Sequence, residues 1–177
     1  MIIFAVFITQ TLYMVTIAID PDVDKNGVAI FNNIDNQLEL HSFTFGELVD
    51  LLLLLSNKDA CQIIIEGGWL NHSNWHLSYH DSKRVACAKG NSTGRNHEVG
   101  RKIAELCEHW NINNKVIKPL RKQWKGKDGK ITHDEIKSVL NGMNIKCPSR
   151  TNQEERDATL IALNYANLPI LFRKERK

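Results

Sequence analysis

Four acidic side chains stand where a metal-binding site could form. Asp20 ends one apolar run, Glu66 ends a second, and Glu154 and Asp157 open the last predicted helix. A charge at the end of a buried strand is costly unless a partner compensates it. Oxygen ligands gathered around magnesium or manganese provide such compensation. The four carboxylates are therefore candidate metal ligands and candidate catalytic groups.

Short strands must carry the first two acids. Apolar and β-branched residues bounded by turn residues predict five strands, over residues 16–19, 28–32, 37–43, 63–65 and 115–117. The first three follow one another with only turns between them, which predicts an antiparallel meander.

Helices are predicted from capping residues and apolar periodicity. They run from Thr44 to Leu55, from Gly94 to Trp110, from Thr132 to about Leu140, and from Thr151 or Asn152 to about Asn167. The first and third open with a capping box, in which a Thr is followed three residues later by a Glu. Residues 69–96 show no sustained period and are predicted to be irregular.

The order of these elements predicts an α/β fold with a mixed five-stranded sheet. Three antiparallel strands are followed by two parallel strands, and helices cover both faces. Asp20 and Glu66 then end adjacent central strands. Glu154 and Asp157 share one helix face, because residues three apart are neighbours on a helix. All four acids can meet at one edge of the sheet.

Four sequence motifs resemble those of the RuvC-like Holliday-junction resolvases, a family of the RNase H-like nuclease superfamily. They are IAIDPDVDKNGVAIF, IIIEGGW, KPLRKQWKGKDGKITHDEIKSVL and QEERDATLIAL, in that order along the chain. The resemblance spans about Met14 to Ala166 and implies an RNase H-like nuclease domain over residues 14–167. It also implies a metal-dependent, structure-selective DNA endonuclease.

The resemblance implies a reaction and partners. Asp20, Glu66, Glu154 and Asp157 would hold two magnesium or manganese ions and hydrolyse a phosphodiester by a two-metal mechanism. Branched DNA would be the substrate. A homodimer is expected because symmetric cutting of a four-way junction needs two sites related by a two-fold axis. No small-molecule cofactor is expected, and the location is expected to be cytoplasmic.

Two departures from the family pattern leave alternatives open. Asp22 stands where the family has a Gly, and Glu154 replaces an Asp. The first adds a carboxylate that could join the metal site or repel it. A catalytically inactive nucleic-acid-binding protein of the same fold is therefore the main alternative. An ATPase or sugar-kinase relative is a weaker one, because such proteins usually have two duplicated domains.

The charge distribution favours a polyanionic partner. Residues 1–66 carry nine acidic side chains and two lysines, a balance of −7, whereas residues 67–177 carry 21 Lys and Arg against 11 acids, a balance of +10. Side chains suited to phosphate contact or base stacking are candidates for binding nucleic acid, although an exposed charged loop would look similar. They are Trp69, Lys83, Arg84, Arg95, Lys118, Arg121, Lys122, Lys125, Lys127 and Lys130. Asn96 and His97 are further candidates, as orienting groups near the acids.

The two ends of the chain lie outside the predicted domain. Residues 1–13 are interpreted as an extension of the first strand or as the product of an upstream start before Met14. A membrane anchor is not expected there, since the same apolar run must carry Asp20 into the core. Residues 168–177 form a basic tail.

The four cysteines show no CxxC pair, which favours reduced thiols over a zinc site.

Overall fold

The computed structural model describes residues 15–56, 61–71 and 78–166. The predicted N-terminal extension, Met14, Asn167 and the basic tail lie outside these residues. The strands are β1 (Val15–Asp20), β2 (Asn26–Asn32), β3 (Gln37–Phe43), β4 (Cys61–Glu66) and β5 (Asn114–Ile117). The helices are α1 (Phe45–Leu55), α2 (Lys83–His109), α3 (His133–Gly142) and α4 (Gln153–Tyr165).

The five strands form one mixed sheet in the order β3-β2-β1-β4-β5. The pairs β1–β2 and β2–β3 are antiparallel, whereas β1–β4 and β4–β5 are parallel. This arrangement confirms the mixed five-stranded α/β sheet predicted from the sequence, with the two acid-bearing strands side by side.

Hydrophobic cores lie on both faces of the sheet, as predicted. On β1, Ala18 faces the core built with α3 and α4, whereas Ile17 and Ile19 face the core built with α1 and α2. Alternate strand residues point to opposite faces, so a strand buried on both sides is apolar at nearly every position. The Ile63-Ile64-Ile65 run of β4 follows the same rule, with all three side chains buried.

Both capping boxes found in the sequence are present, at Thr44 with Glu47 and at Thr132 with Glu135. Helix α4 is capped by Asn152, which forms a third capping box. Cys61 and Cys107 are buried thiols, and burial raises the pKa of Cys107 to about 12. No helix within the three described ranges is long and apolar enough to cross a membrane.

The prediction that residues 83–93 are irregular was wrong. They belong to α2, a helix of 27 residues whose cap is Ser82 and which begins 11 residues before the predicted start at Gly94. We call residues 83–96 the first half of α2. The fully buried side of α2 is confined to its second half, at Gly100, Ile103 and Cys107. Because the first half fully buries no side chain, it carries no apolar period that a sequence pattern could reveal.

Candidate active site

Asp20 and Glu66 line a cavity of about 900 Å³ at one edge of the sheet. Each is the last residue of its strand, β1 and β4 respectively. The two strands are parallel neighbours, in which Ile19 pairs with Ile65, so their final carboxylates emerge at the same edge. The predicted adjacency of these two acids is confirmed.

Helix α4 brings Glu154 and Asp157 to the same cavity, which both side chains line. The first turn of α4 lies directly on β2, where Gly27 pairs with Asp20. A Cβ atom added at Gly27 would lie only 2.1 Å from the backbone oxygen of Glu154. The missing side chain at position 27 is therefore what allows the helix to bring its acids close to Asp20.

The acids of this cavity repel one another. Burial raises the pKa of Asp20 well above its usual value, and the charges of Glu66, Asp157 and Glu154 raise it further. Burial is also the main cause of the raised pKa of Glu66 and of Asp157. Lys122 opposes the rise in the pKa of all three carboxyl groups. The groups therefore titrate as an interacting set.

This donor set suits a hard divalent cation, which would relieve the repulsion between the carboxylates. The fit is one of chemistry and location. Among the described residues, no three His, Cys, Asp or Glu side chains are placed as a ready-made cage for a single ion. The backbone of Leu120 lowers the pKa of Glu66 against the effect of burial.

Asp22, whose role the sequence left open, ties the β1–β2 turn to α2. Its Oδ2 accepts a hydrogen bond from Nδ2 of Asn96 at 2.8 Å, and its Oδ1 accepts one from the backbone N–H of Asp24 at 2.9 Å. Asn96 Oδ1 in turn accepts from the backbone N–H of Val23 at 3.1 Å. Asp22 and Asn96 both line the cavity. The pair holds α2 against the strand end that carries Asp20.

His97 lies beside the backbone that follows Glu66. A Cβ atom added at Gly68 would come within 2.7 Å of His97 Nε2, and the imidazole lines the cavity. Trp69 meets the imidazole edge-on, with ring centroids 6.5 Å apart. The guanidinium of Arg101 lies over the Trp69 ring, 5.4 Å from its centroid. Trp69 is thus half-buried among protein groups, and its stacking on a base stays a prediction.

The predicted basic stretch is a folded loop, residues 118–130, that forms one wall of the cavity. We call it the basic loop. Its Arg121, Lys122 and Lys130 line the cavity. Lys118, Lys125 and Lys127 are exposed on the same loop.

The other predicted cations lie on α2 and differ in position. Lys83, Arg84 and Arg95 are exposed and do not line the main cavity. Sequence reasoning missed that Lys89, Ser92 and Thr93 line it, on the same face of α2 as Asn96 and His97. Their spacing of three and four residues was a usable signal, but it has meaning only once the segment is known to be a helix.

Compared by sequence, the chain matches no family profile and no curated protein. Compared by structure, it is similar to RuvC of Thermus thermophilus in complex with a Holliday junction substrate, with 14% identity, 89% of this chain and 98% of that chain covered, and a TM-score of 0.46. It is also similar to a second Thermus thermophilus RuvC structure, with 16% identity, 86% and 93% covered, and a TM-score of 0.42. We therefore infer function from the residues of the cavity itself.

Proposed function

We propose that this protein is a metal-dependent, structure-selective DNA endonuclease that resolves four-way junctions as a homodimer. One observation carries the proposal, which is that the four candidate carboxylates and three cationic side chains of the basic loop line a single cavity. Carboxylates that repel one another at the end of a buried sheet are suited to divalent metal ions. Cations beside them are suited to the phosphates of a nucleic acid.

Asp20, Glu66, Glu154 and Asp157 would hold two magnesium or manganese ions. When bound, such ions activate the attacking water and stabilise the leaving oxygen of a phosphodiester. Asp20 would be the ligand most affected by the other acids, because their charges add to the effect of burial in raising its pKa. The helix and sheet residues around the acids hold them in place and keep them partly away from bulk water.

The basic loop would hold the phosphates of the cleaved strand. Arg121, Lys122 and Lys130 line the cavity that contains the acids. A cation placed there offsets the negative charge that builds up when a phosphate approaches a cluster of carboxylates. The dimer follows from the substrate, because two symmetric nicks in a junction require two active sites related by a two-fold axis.

The test compares cleavage by the purified protein on three labelled DNAs: a four-way junction, a flap and a linear duplex. Each is incubated with magnesium, manganese or EDTA. The variant Asp20→Asn removes the central carboxylate, and Asp24→Asn is the matched control because Asp24 is an exposed acid of the same turn. We expect metal-dependent, symmetric nicks on the junction that fall at least about 100-fold in Asp20→Asn and persist in Asp24→Asn.

Equal cleavage by Asp20→Asn and the wild type would overturn the proposal. Cleavage of only the flap or the duplex would keep the chemistry and remove the junction specificity. A monomer by sedimentation in the presence of junction DNA would contradict the dimer.

The second candidate function is a nucleic-acid-binding protein of the same fold without catalysis. It is favoured by Asp22 and Glu154, the two positions at which the chain departs from the resolvase pattern. Tight junction binding without any cut in magnesium or manganese would support it.

A further inference from the structure

Arg156 is the most extensively hydrogen-bonded side chain of α4 among the residues that the structure describes. Its Nε donates to the backbone oxygen of Ile131 at 2.9 Å. Its Nη1 donates to the backbone oxygen of Thr151 at 2.6 Å and to the Thr151 hydroxyl at 3.2 Å. Its Nη2 donates to Oε1 of Gln153 at 2.9 Å. The guanidinium thus joins the start of α4 to the residue that follows the basic loop.

Gln153 links Arg156 to Asp157, one of the four acids, by hydrogen bonds. Its Nε2 donates to Oδ1 of Asp157 at 2.8 Å. A guanidinium has only donors, so the Gln153 oxygen must face Arg156 and the NH₂ group must face Asp157. Arg156 therefore fixes the orientation of an amide that could otherwise rotate by half a turn.

The same guanidinium is attached to the cationic wall of the cavity. Ile131 follows Lys130 directly, and its side chain is fully buried against α3 and α4. The bond from Arg156 to the Ile131 oxygen anchors the end of the basic loop to α4. Arg156 consequently contacts both the start of the acid-bearing helix and Ile131, the residue that directly follows the loop presenting Lys122 and Lys130.

We propose that Gln153 and Arg156 are positioning residues, with Gln153 orienting the Asp157 carboxylate for metal binding and Arg156 coupling that carboxylate to the basic loop. This inference rests on the proposed function. Hydrogen-bond donors behind a metal-binding carboxylate fix which of its oxygens is engaged, and their loss typically lowers metal affinity or activity 10- to 100-fold. Gln153 is such a donor to Asp157, and Arg156 is in turn a donor to Gln153.

The two residues have different expected effects. Gln153→Met removes the donor to Asp157 with little change in side-chain length or charge. We expect the Kd for manganese, measured by calorimetry on the DNA-free protein, to rise about tenfold and kcat to fall by a similar factor. Binding of the junction in EDTA should stay within about twofold, because Gln153 does not contact the basic loop in this network. A purely structural role would move the melting temperature instead.

Arg156→Lys should raise both the Kd for manganese and the Kd for the junction in EDTA. A lysine keeps the charge but cannot bridge Ile131, Thr151 and Gln153 together. We expect weaker manganese binding and, in addition, weaker junction binding in EDTA. Asn164→Leu is the matched control, since Asn164 is an exposed amide near the other end of α4, and it should change neither constant.

Three outcomes decide the matter. If wild type binds manganese and cuts the junction but a folded Gln153→Met does both equally well, the positioning role is wrong and the proposed function stands. If wild type neither binds manganese nor cuts, both fail together. If Gln153→Met weakens manganese binding while Asn164→Leu does not, and both melt within a few degrees of wild type, the positioning role holds.

Discussion

Two segments bring positive charge towards the cavity, the basic loop and the first half of α2, and they do so very differently. The basic loop places Arg121, Lys122 and Lys130 in the cavity wall. Lys122 also lowers the pKa of Asp20, Glu66 and Asp157 against the effect of burial. Its charge therefore acts directly on the acids.

The first half of α2 carries four cations against the six of the basic loop, and three of the four do not line the cavity. Lys83 and Arg84 are exposed at its start. Lys89 lines the cavity, yet it forms an ion pair with Asp81 at 2.8 Å. The basic loop thus acts directly on the site, whereas the first half of α2 is suited to weaker, longer-range attraction of DNA.

The segments also differ in what maintains their shape. The basic loop is folded on itself by backbone bonds from Trp124 to Gly129 and from Gly126 to Lys130. Asp128 and Gly129 have positive φ angles of 56° and 74°. The first half of α2 is a regular helix in which Gly90 and Gly94 have open space where a Cβ would be. The loop therefore depends on its glycines, whereas the first half of α2 does not.

The largest expected effect separates the two kinds of cation. Lys122→Gln should lower junction cleavage by at least about tenfold, because it removes a charge that offsets the carboxylates beside a bound phosphate. Lys83→Gln should change the cleavage rate at saturating DNA less than about twofold. It should reduce the slope of log affinity against log salt by about one if Lys83 contacts a phosphate. Single-turnover cleavage and a salt titration of binding give both numbers.

Equal losses of cleavage in the two variants would show that proximity to the acids does not matter. The same comparison between Lys130→Gln and Arg84→Gln provides an independent pair. Each pair joins one cavity-lining cation and one exposed cation of α2.

A smaller effect is expected from glycine substitutions that test the two backbones. In Gly126→Ala, the new Cβ would lie 2.4 Å from the backbone oxygen of Lys130, so the loop must shift. We expect a loss of about 1–3 kcal/mol in the free energy of unfolding and weaker junction cleavage. Gly94→Ala should instead stabilise the protein by up to about 1 kcal/mol, since alanine is the better helix former. Urea unfolding measures both changes.

Gly126→Ala with unchanged stability and full cleavage would show that the loop adapts without cost. A destabilising Gly94→Ala would indicate that α2 has a close neighbour at that position. Either result would remove the contrast between a basic loop that depends on its glycines and a regular helix that does not.

The positions of Asp20 and Glu66 could be predicted from the sequence because the signals that mark them are local. An acid after an apolar, β-branched run marks the end of a strand, and the strand order then places Asp20 beside Glu66. The capping boxes at Thr44 and Thr132 depend on residues only three apart. These signals need no knowledge of tertiary contacts, so the sheet and the start of α3 could be predicted.

The first half of α2 and the contacts that hold the acids in place could not be predicted in this way. The first half of α2 extends past the cores and has no apolar stripe. The contact between Gly27 and Glu154 joins residues far apart in the chain, and nothing near Gly27 indicates it. The Arg156–Gln153–Asp157 relay is local in sequence, but its spacing is equally compatible with ordinary exposed polar residues of a helix.

The smallest expected effect is a difference in pH dependence of the metal-free protein. The pKa values of Asp20, Glu66 and Asp157 are raised in the folded protein. Between the unfolded and the folded pKa of each group, the folded protein therefore binds more protons than the unfolded chain. These groups favour the folded state fully below their unfolded pKa of about 4. Their contribution is lost as pH rises through the raised folded pKa values.

Lys122→Gln should enlarge this loss, because it removes the charge that lowers all three pKa values. Between about pH 5 and pH 8 in EDTA, we expect the variant to lose roughly 1 kcal/mol more stability than wild type, whereas Lys83→Gln should parallel wild type. Glu47 and Asp81 have lowered pKa values and act in the opposite direction, but they are common to all three proteins and cancel in the comparison. Parallel profiles for all three would mean that the Lys122 charge is screened from the acids by solvent. In that case the basic loop would differ from α2 in position alone.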